Sequence, residues 1–148
     1  VAKAIGNGFP LGACLTTEKV GSTMNFGSHG STFGGNPLAS AVGNAVLDIM
    51  LGKDFFLNVK EVSQNLFSGL QEINKEFPSV IELVRGRGLM IGIKCKIQNT
   101  DFVEKARLNK LLTVKASDNV VRLLPPLILN SNECEEGLLK IRSTCEMF

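Results

Sequence analysis

The sequence predicts an α/β chain in two parts: a glycine-rich, strand-poor leading segment, then a compact α+β unit in which helices cover a small sheet. Three observations predict it. Residues 1 to about 35 are punctuated by glycine, proline, asparagine and serine, with only short apolar pieces such as residues 12–16. Val59, Val62, Leu66, Leu70, Ile73 and Phe77 recur at three- and four-residue spacings, the period of one helix face. Four short apolar runs beyond residue 79 have the length and composition of strands.

Taken in order, Pro37 fits the first position of a helix capped by Asn36, running to about Met50 and ending near Gly52. A second helix covers about residues 53–77, and Pro78 stops it. Residues 80–84 and 89–94 read as strands around the turn Arg85-Gly86-Arg87-Gly88. A helix over roughly 100–110 follows, then strands near 111–115 and 120–123. Pro125-Pro126 ends the last strand, because a residue without an N–H cannot continue a ladder. The final helix starts near Ser131 and carries Cys134, Leu138, Ile141, Cys145 and Phe148 along one side. The chain shows no internal repeat and no low-complexity segment.

Composition narrows the function. A chain of 148 residues with 44% apolar side chains can bury one ordinary core. The net charge of +2 is small and scattered, and no basic run alternates with aromatics, which argues against nucleic acid. No apolar stretch has membrane-spanning length and the start has no signal-peptide pattern, so the expected location is the cytoplasm. Cys14, Cys95, Cys134 and Cys145 show no C-x-x-C spacing, and one histidine does not complete a zinc set. Cys134 and Cys145 lie about three helical turns apart and cannot bridge each other. All four are expected to be buried, reduced thiols.

Three places carry candidate chemistry. Lys3 is followed within nine residues by three glycines and a proline, which holds it on a tight loop. On spacing alone it is an exposed lysine before a turn; fixed in position, it is also an amine nucleophile towards a carbonyl. Ser31-Thr32 stands before Gly34-Gly35 and the helix cap. That is either a turn or a phosphate site built from hydroxyls and backbone N–H groups. Arg122 interrupts the apolar run Val120-Val121-Arg122-Leu123-Leu124. A core arginine needs a carboxylate partner, so it is either a structural ion pair or a bidentate clamp on a substrate α-carboxylate. Gly6-Asn7-Gly8 and Gly86-Arg87-Gly88 both depart from the dinucleotide fingerprint. Arg85 and Arg87 read as structural, and His29 is assigned no catalytic role.

The wording of four segments adds to this. Ala2-Lys3-Ala4-Ile5-Gly6-Asn7-Gly8-Phe9-Pro10-Leu11-Gly12-Ala13 resembles the cofactor-lysine segment of class III aminotransferases, which use pyridoxal 5'-phosphate. Gly27-Ser28-His29-Gly30-Ser31-Thr32-Phe33-Gly34-Gly35-Asn36-Pro37-Leu38-Ala39 resembles the family's second block, and Val84-Arg85-Gly86-Arg87-Gly88-Leu89-Met90-Ile91-Gly92 its third. Asn119-Val120-Val121-Arg122-Leu123-Leu124-Pro125-Pro126-Leu127 resembles its fourth. The order is the family's, and the wording favours the acetylornithine branch.

The resemblance implies the C-terminal part of a fold type I enzyme. Residues 1–52 would be the tail of the large domain and residues 53–148 the small C-terminal α+β domain. An acidic partner for the pyridine nitrogen, a stacking aromatic and a glycine-rich phosphate loop would lie in sequence preceding Val1. Lys3 would hold the cofactor and move the proton. Thr32, with Ser31 beside it, would reach the cofactor phosphate of the other subunit of a homodimer, and Arg122 would clamp a carboxylate. Ser117 departs from the family, which often has glycine there.

The implied reaction moves an amino group from N-acetylornithine, or a related ω-amino donor, to 2-oxoglutarate in arginine biosynthesis. Ornithine, succinylornithine and 4-aminobutyrate stay open as donors. So does a non-catalytic folded domain, a proteolytic product or interaction remnant.

Overall fold

The computed structural model describes all 148 residues. They divide into two compact units, Val1–Phe55 and Phe56–Phe148.

In the first unit a 3-10 turn, Lys3–Gly6, is followed by one exposed helical turn, α1 (Glu18–Gly21), and by α2 (Pro37–Met50). The expected cap is present: Asn36 Oδ1 accepts the Ala39 N–H at 2.9 Å, and Pro37 occupies the first turn. The buried face of α2 is made of Ala39 and Gly43. A methyl group at Gly43 would lie 2.7 Å from Leu11 Cδ2. The Lys3 loop therefore rests on the helix at Gly43, where an added methyl would push the Leu11 side chain aside. Neither short helical turn was expected, since four residues show no period.

The second unit takes in α3 (Phe55–Glu76) from its second residue on, and Val62, Leu66, Leu70 and Ile73 of that helix are buried. Strands β1 (Ile81–Arg87), β2 (Met90–Cys95), β3 (Val114–Ala116) and β4 (Val120–Leu123) form one antiparallel sheet in the order β1-β2-β4-β3. Helix α4 (Asn99–Leu108) joins β2 to β3, and α5 (Ser131–Cys145) closes the unit. Asn130 and Glu133 form a capping box at the start of α5, two reciprocal bonds of 3.0 Å. Val62, Leu66 and Leu70 of α3, Phe102 of α4 and Ile141 of α5 share one core with Ile91, Ile93, Val121 and Leu123 of the sheet. Side chains alternate across a strand, so Arg85, Lys94 and Arg122 stand on the face away from that core.

Three boundaries differ from expectation, each for a local reason. The hairpin turn is not Arg85–Gly88. Gly86 and Arg87 pair with Ile91 and Met90, and the chain reverses at Gly88-Leu89, where Gly88 takes φ 57°. Strand β3 starts at Val114 rather than near residue 111, because the preceding residues close α4. Lys110 is left-handed at φ 57°, and Leu111 donates its N–H to Ala106 O at 2.9 Å, the six-to-one bond of a Schellman motif. Phe148 lies beyond the end of α5. Its ring stacks on Phe102 at 6.4 Å between centroids, with Lys105 Nζ 3.4 Å from its centre.

Candidate functional site

Lys3 sits on a loop whose ends are tied together. Ala2 and Gly12 form an antiparallel bridge, Ala13 donates its N–H to Val1 O at 2.8 Å, and the Val1 amine returns a bond to Ala13 O at 2.7 Å. Inside the loop Asn7 donates to Ala4 O at 3.0 Å and Phe9 to Gly6 O at 2.8 Å. Lys3 itself takes φ 59°, a conformation that costs a side-chain-bearing residue about 1 kcal/mol. The side chain is exposed and, with Asn7, Phe9, Pro10 and Leu11, lines a cavity of about 630 Å³. The bridged loop thus fixes the Lys3 backbone at a cavity wall, while its exposed side chain makes no hydrogen bond or ion pair.

Ser31 and Thr32 form the turn ahead of α2, both exposed, and they are not among the walls of that cavity. Gly34 donates its N–H to Ser31 O at 3.3 Å, and Gly35 takes φ 69° to turn the chain into Asn36. The start of α2 offers less backbone than the sequence suggested. Pro37 has no N–H, and Asn36 takes the N–H of Ala39. An anion here meets chiefly the two hydroxyls and the turn.

Arg122 belongs to the second unit and is not a core residue. The burial of β4 alternates, with Val121 and Leu123 buried and Arg122 exposed between them. The apolar run misled because strand period hides a solvent-facing residue between two core-facing ones. The ion pair weighed for it is absent. The salt bridges are Glu72–Lys75, Arg85–Asp118, Lys94–Asp118, Glu136–Lys140 and Glu76–Arg142. Its cross-strand neighbours are Gly92 and Val114, so the guanidinium faces solvent with its donors uncommitted to any carboxylate.

Asp118 gathers two other cations of that face. Lys94 pairs with Oδ1 and Arg85 Nη2 lies 3.2 Å from Oδ2. The Lys94 hydrogen bond and charge, with help from Arg85, hold the Asp118 carboxyl below the usual carboxylate range. Asp118 and Asn119 are the left-handed residues of the β3–β4 turn, at φ 62° and 52°. Ser117, the departure noted above, is not among them, so the turn tolerates serine there.

The thiols are free, and one expectation fails: Cys14 is exposed, while Cys95, Cys134 and Cys145 are buried. Burial pushes the Cys95 thiol up to about 11 and Cys145 up to about 12.

Sequence reasoning missed Leu11 with Gly43, the support under the Lys3 loop, and Asp118 with Lys94. A glycine inside a helix was the available signal for the first, since it costs about 1 kcal/mol against alanine and calls for a packing reason.

The family model for class-III aminotransferases matches residues 1–145. The chain belongs to that family. Acetylornithine aminotransferase of Agrobacterium fabrum is 48% identical over 143 residues, covering 97% of this chain and 36% of the relative. The solved N-acetylornithine aminotransferase of Stenotrophomonas maltophilia superposes with a TM-score of 0.84 at 36% identity, covering 98% of this chain and 38% of that one. Ornithine δ-aminotransferase of Plasmodium falciparum gives 0.92 at 32% identity, covering 99% and 38%. The fold is thus part of a class-III aminotransferase fold. The chain spans about a third of the length of the curated relatives it matches. No helix of the class-III chain is long and apolar enough to cross a membrane.

Proposed function

We propose that this chain carries part of the active site of a pyridoxal-phosphate-dependent aminotransferase. In this reading an amino group passes from N-acetylornithine, or a related ω-amino donor, to 2-oxoglutarate, in arginine biosynthesis. The observation that carries the reading is Lys3, held at φ 59° on a bridged loop at a cavity wall, in a chain of this family.

The residues present fit the cofactor by their chemistry. Lys3 supplies an exposed amine for its carbonyl, Ser31 and Thr32 supply hydroxyls for its phosphate, and Arg122 leaves a guanidinium free for a substrate carboxylate. When bound, pyridoxal phosphate supplies the electron sink that lets a proton leave the carbon bearing the amino group. Lys3 would hold the cofactor, and its free amine would move that proton, the general acid–base step. Arg122 orients the acid through two parallel hydrogen bonds. Thr32 completes the phosphate site of a second copy in a homodimer, with Ser31 beside it. Residues 1–52 act as the tail of the large domain and residues 53–148 as the small one, in the cytoplasm.

The enzyme, supplied with 2-oxoglutarate and one donor at a time, should form glutamate fastest from N-acetylornithine. A faster rate with ornithine, succinylornithine or 4-aminobutyrate reassigns the donor. No glutamate from any of them, at saturating cofactor, overturns the reading.

A further inference from the structure

The Lys3 loop is closed upon itself and joined to α2 by packing alone. Its hydrogen bonds run inside residues 1–13: Val1 and Ala13 exchange two, Asn7 donates to Ala4 O, and Phe9 donates to Gly6 O. None of them reaches the helix. Leu11, half-buried, supplies the contact that does. Its Cβ lies 3.0 Å from where a methyl on the buried Gly6 would stand, and its Cδ2 lies 2.7 Å from where one on the buried Gly43 would stand. Both glycines thus let the leucine settle against bare backbone, the loop's on one side and the helix's on the other. The helix is the firmer partner: α2 runs for 14 residues from its Asn36 cap, and Ala39, one turn before Gly43, is buried on the same face.

We propose that Leu11 is a positioning residue: seated on Gly43, it fixes where the self-closed loop stands on α2 and so where the Lys3 amine meets a cofactor carbonyl. The inference rests on the reading of Lys3 as the cofactor's amine and extends it to what places that amine. The bonds that close the loop hold the Lys3 backbone in shape but give it no fixed place on the helix. Shortening Leu11 should therefore let the loop move as one body, leaving its internal bonds intact and carrying the amine off its mark. A displacement of about 1 Å costs a reacting pair on the order of a hundredfold.

The test compares two ligands on the cofactor-free form of the active enzyme. Pyridoxal 5'-phosphate carries the carbonyl that Lys3 would take; pyridoxine 5'-phosphate has the same ring and phosphate and no carbonyl. The ratio of their dissociation constants isolates the contribution of the placed amine. L11A should shrink that advantage about tenfold or more while pyridoxine 5'-phosphate binds as before. L11M, of nearly equal volume, should keep it. L11V/G43A moves one carbon from the loop to the helix at the same contact and should recover most of what L11V loses; this pair decides the matter if L11A does not fold. An unchanged ratio in L11A and L11V, equal weakening of both ligands, or a loss that L11V/G43A fails to recover overturns the positioning role. K3A tests the reading beneath it: if K3A keeps the advantage of pyridoxal 5'-phosphate, Lys3 is not the amine, whatever the Leu11 variants do.

Discussion

Asn119 and Asn99 tie three elements of the second unit together. Asn119 Oδ1 accepts the backbone N–H of Asn99 at 2.9 Å, and its Nδ2 donates to the carbonyls of Cys95 and Ile97, each at 2.7 Å. The Asn99 side chain returns two bonds of 3.0 Å to the carbonyls of Ala116 and Val120, on either side of the turn that holds Asn119. The end of β2, the start of α4 and the β3–β4 turn are thereby fixed to one another. Arg122, three residues on, inherits its place from that knot.

Asn119→Ala should therefore destabilise the chain by about 2–4 kcal/mol. Three partly buried hydrogen bonds are worth roughly 1 kcal/mol each, and alanine adds the cost of φ 52°. Asn119→Gly keeps the backbone conformation and should recover only about 1 kcal/mol of the loss. Urea unfolding of both variants checks the pair. Equal, small losses would show that the side chain contributes nothing.

The knot also marks how far the sequence could be read. Periodic elements were legible: α2 with its Asn36 cap, α3 to within two residues, and β4, which matches the expected 120–123. What was not legible depends on which atoms meet in space. Nothing in the sequence says that Lys110 closes α4 and delays β3, or that Asp118 draws Lys94 and Arg85 while leaving Arg122 alone. The core-arginine reading failed for a related reason: an apolar run gives no parity, and burial on a strand is decided by parity. The candidate residues stood out by wording; their surroundings appeared only in three dimensions.

Lys3→Ala in the active enzyme should abolish amino transfer and lower cofactor retention while leaving the melting temperature almost unchanged, because the side chain is exposed. The loss should be hundreds-fold or more, roughly the worth of a positioned general acid–base group. Borohydride fixation of the cofactor followed by peptide mapping should label Lys3. A label on another lysine rejects the assignment.

Thr32→Ala should weaken cofactor retention by about tenfold, one charge-assisted hydrogen bond to phosphate, with little effect on folding, since Thr32 is exposed in a turn. Mixing Thr32→Ala subunits with Lys3→Ala subunits tests the cross-subunit role. Each Lys3-bearing site would then have an intact Thr32 from the other copy, and partial activity should return. No return would place Thr32 at its own subunit's site.

Alkali should destabilise the second unit through its buried thiols. Burial pushes the Cys95 thiol up to about 11 and the Cys145 thiol up to about 12, above the ordinary thiol range. Between those limits the folded state keeps protons that the unfolded state releases. The stabilisation is fully present below pH about 9 and is lost as pH rises towards the folded values. Urea midpoints measured from pH 8 to 10.5 should fall, and the fall should be shallower in C95A/C145A. In the folded chain at pH 8, iodoacetamide should modify the exposed Cys14 well before the three buried thiols. Fast modification of Cys145 would contradict its burial.

Arg122→Lys should raise the KM for 2-oxoglutarate far more than it alters cofactor binding or stability. The acceptor's α-carboxylate lies beside the carbonyl that reacts, whereas an ω-amino donor carries its carboxylate at the opposite end from the reacting amine. The effect should therefore be larger for the acceptor than for the donor. Lysine keeps the charge and loses the two parallel hydrogen bonds of the guanidinium, a loss of about 1.5–3 kcal/mol, or roughly ten- to a hundredfold in KM. Because Arg122 is exposed and joins no ion pair of the chain, the melting temperature should barely move. A lowered melting temperature with unchanged Michaelis constants would make Arg122 a structural residue after all. Steady-state kinetics and a melting curve on the same variant decide between the two.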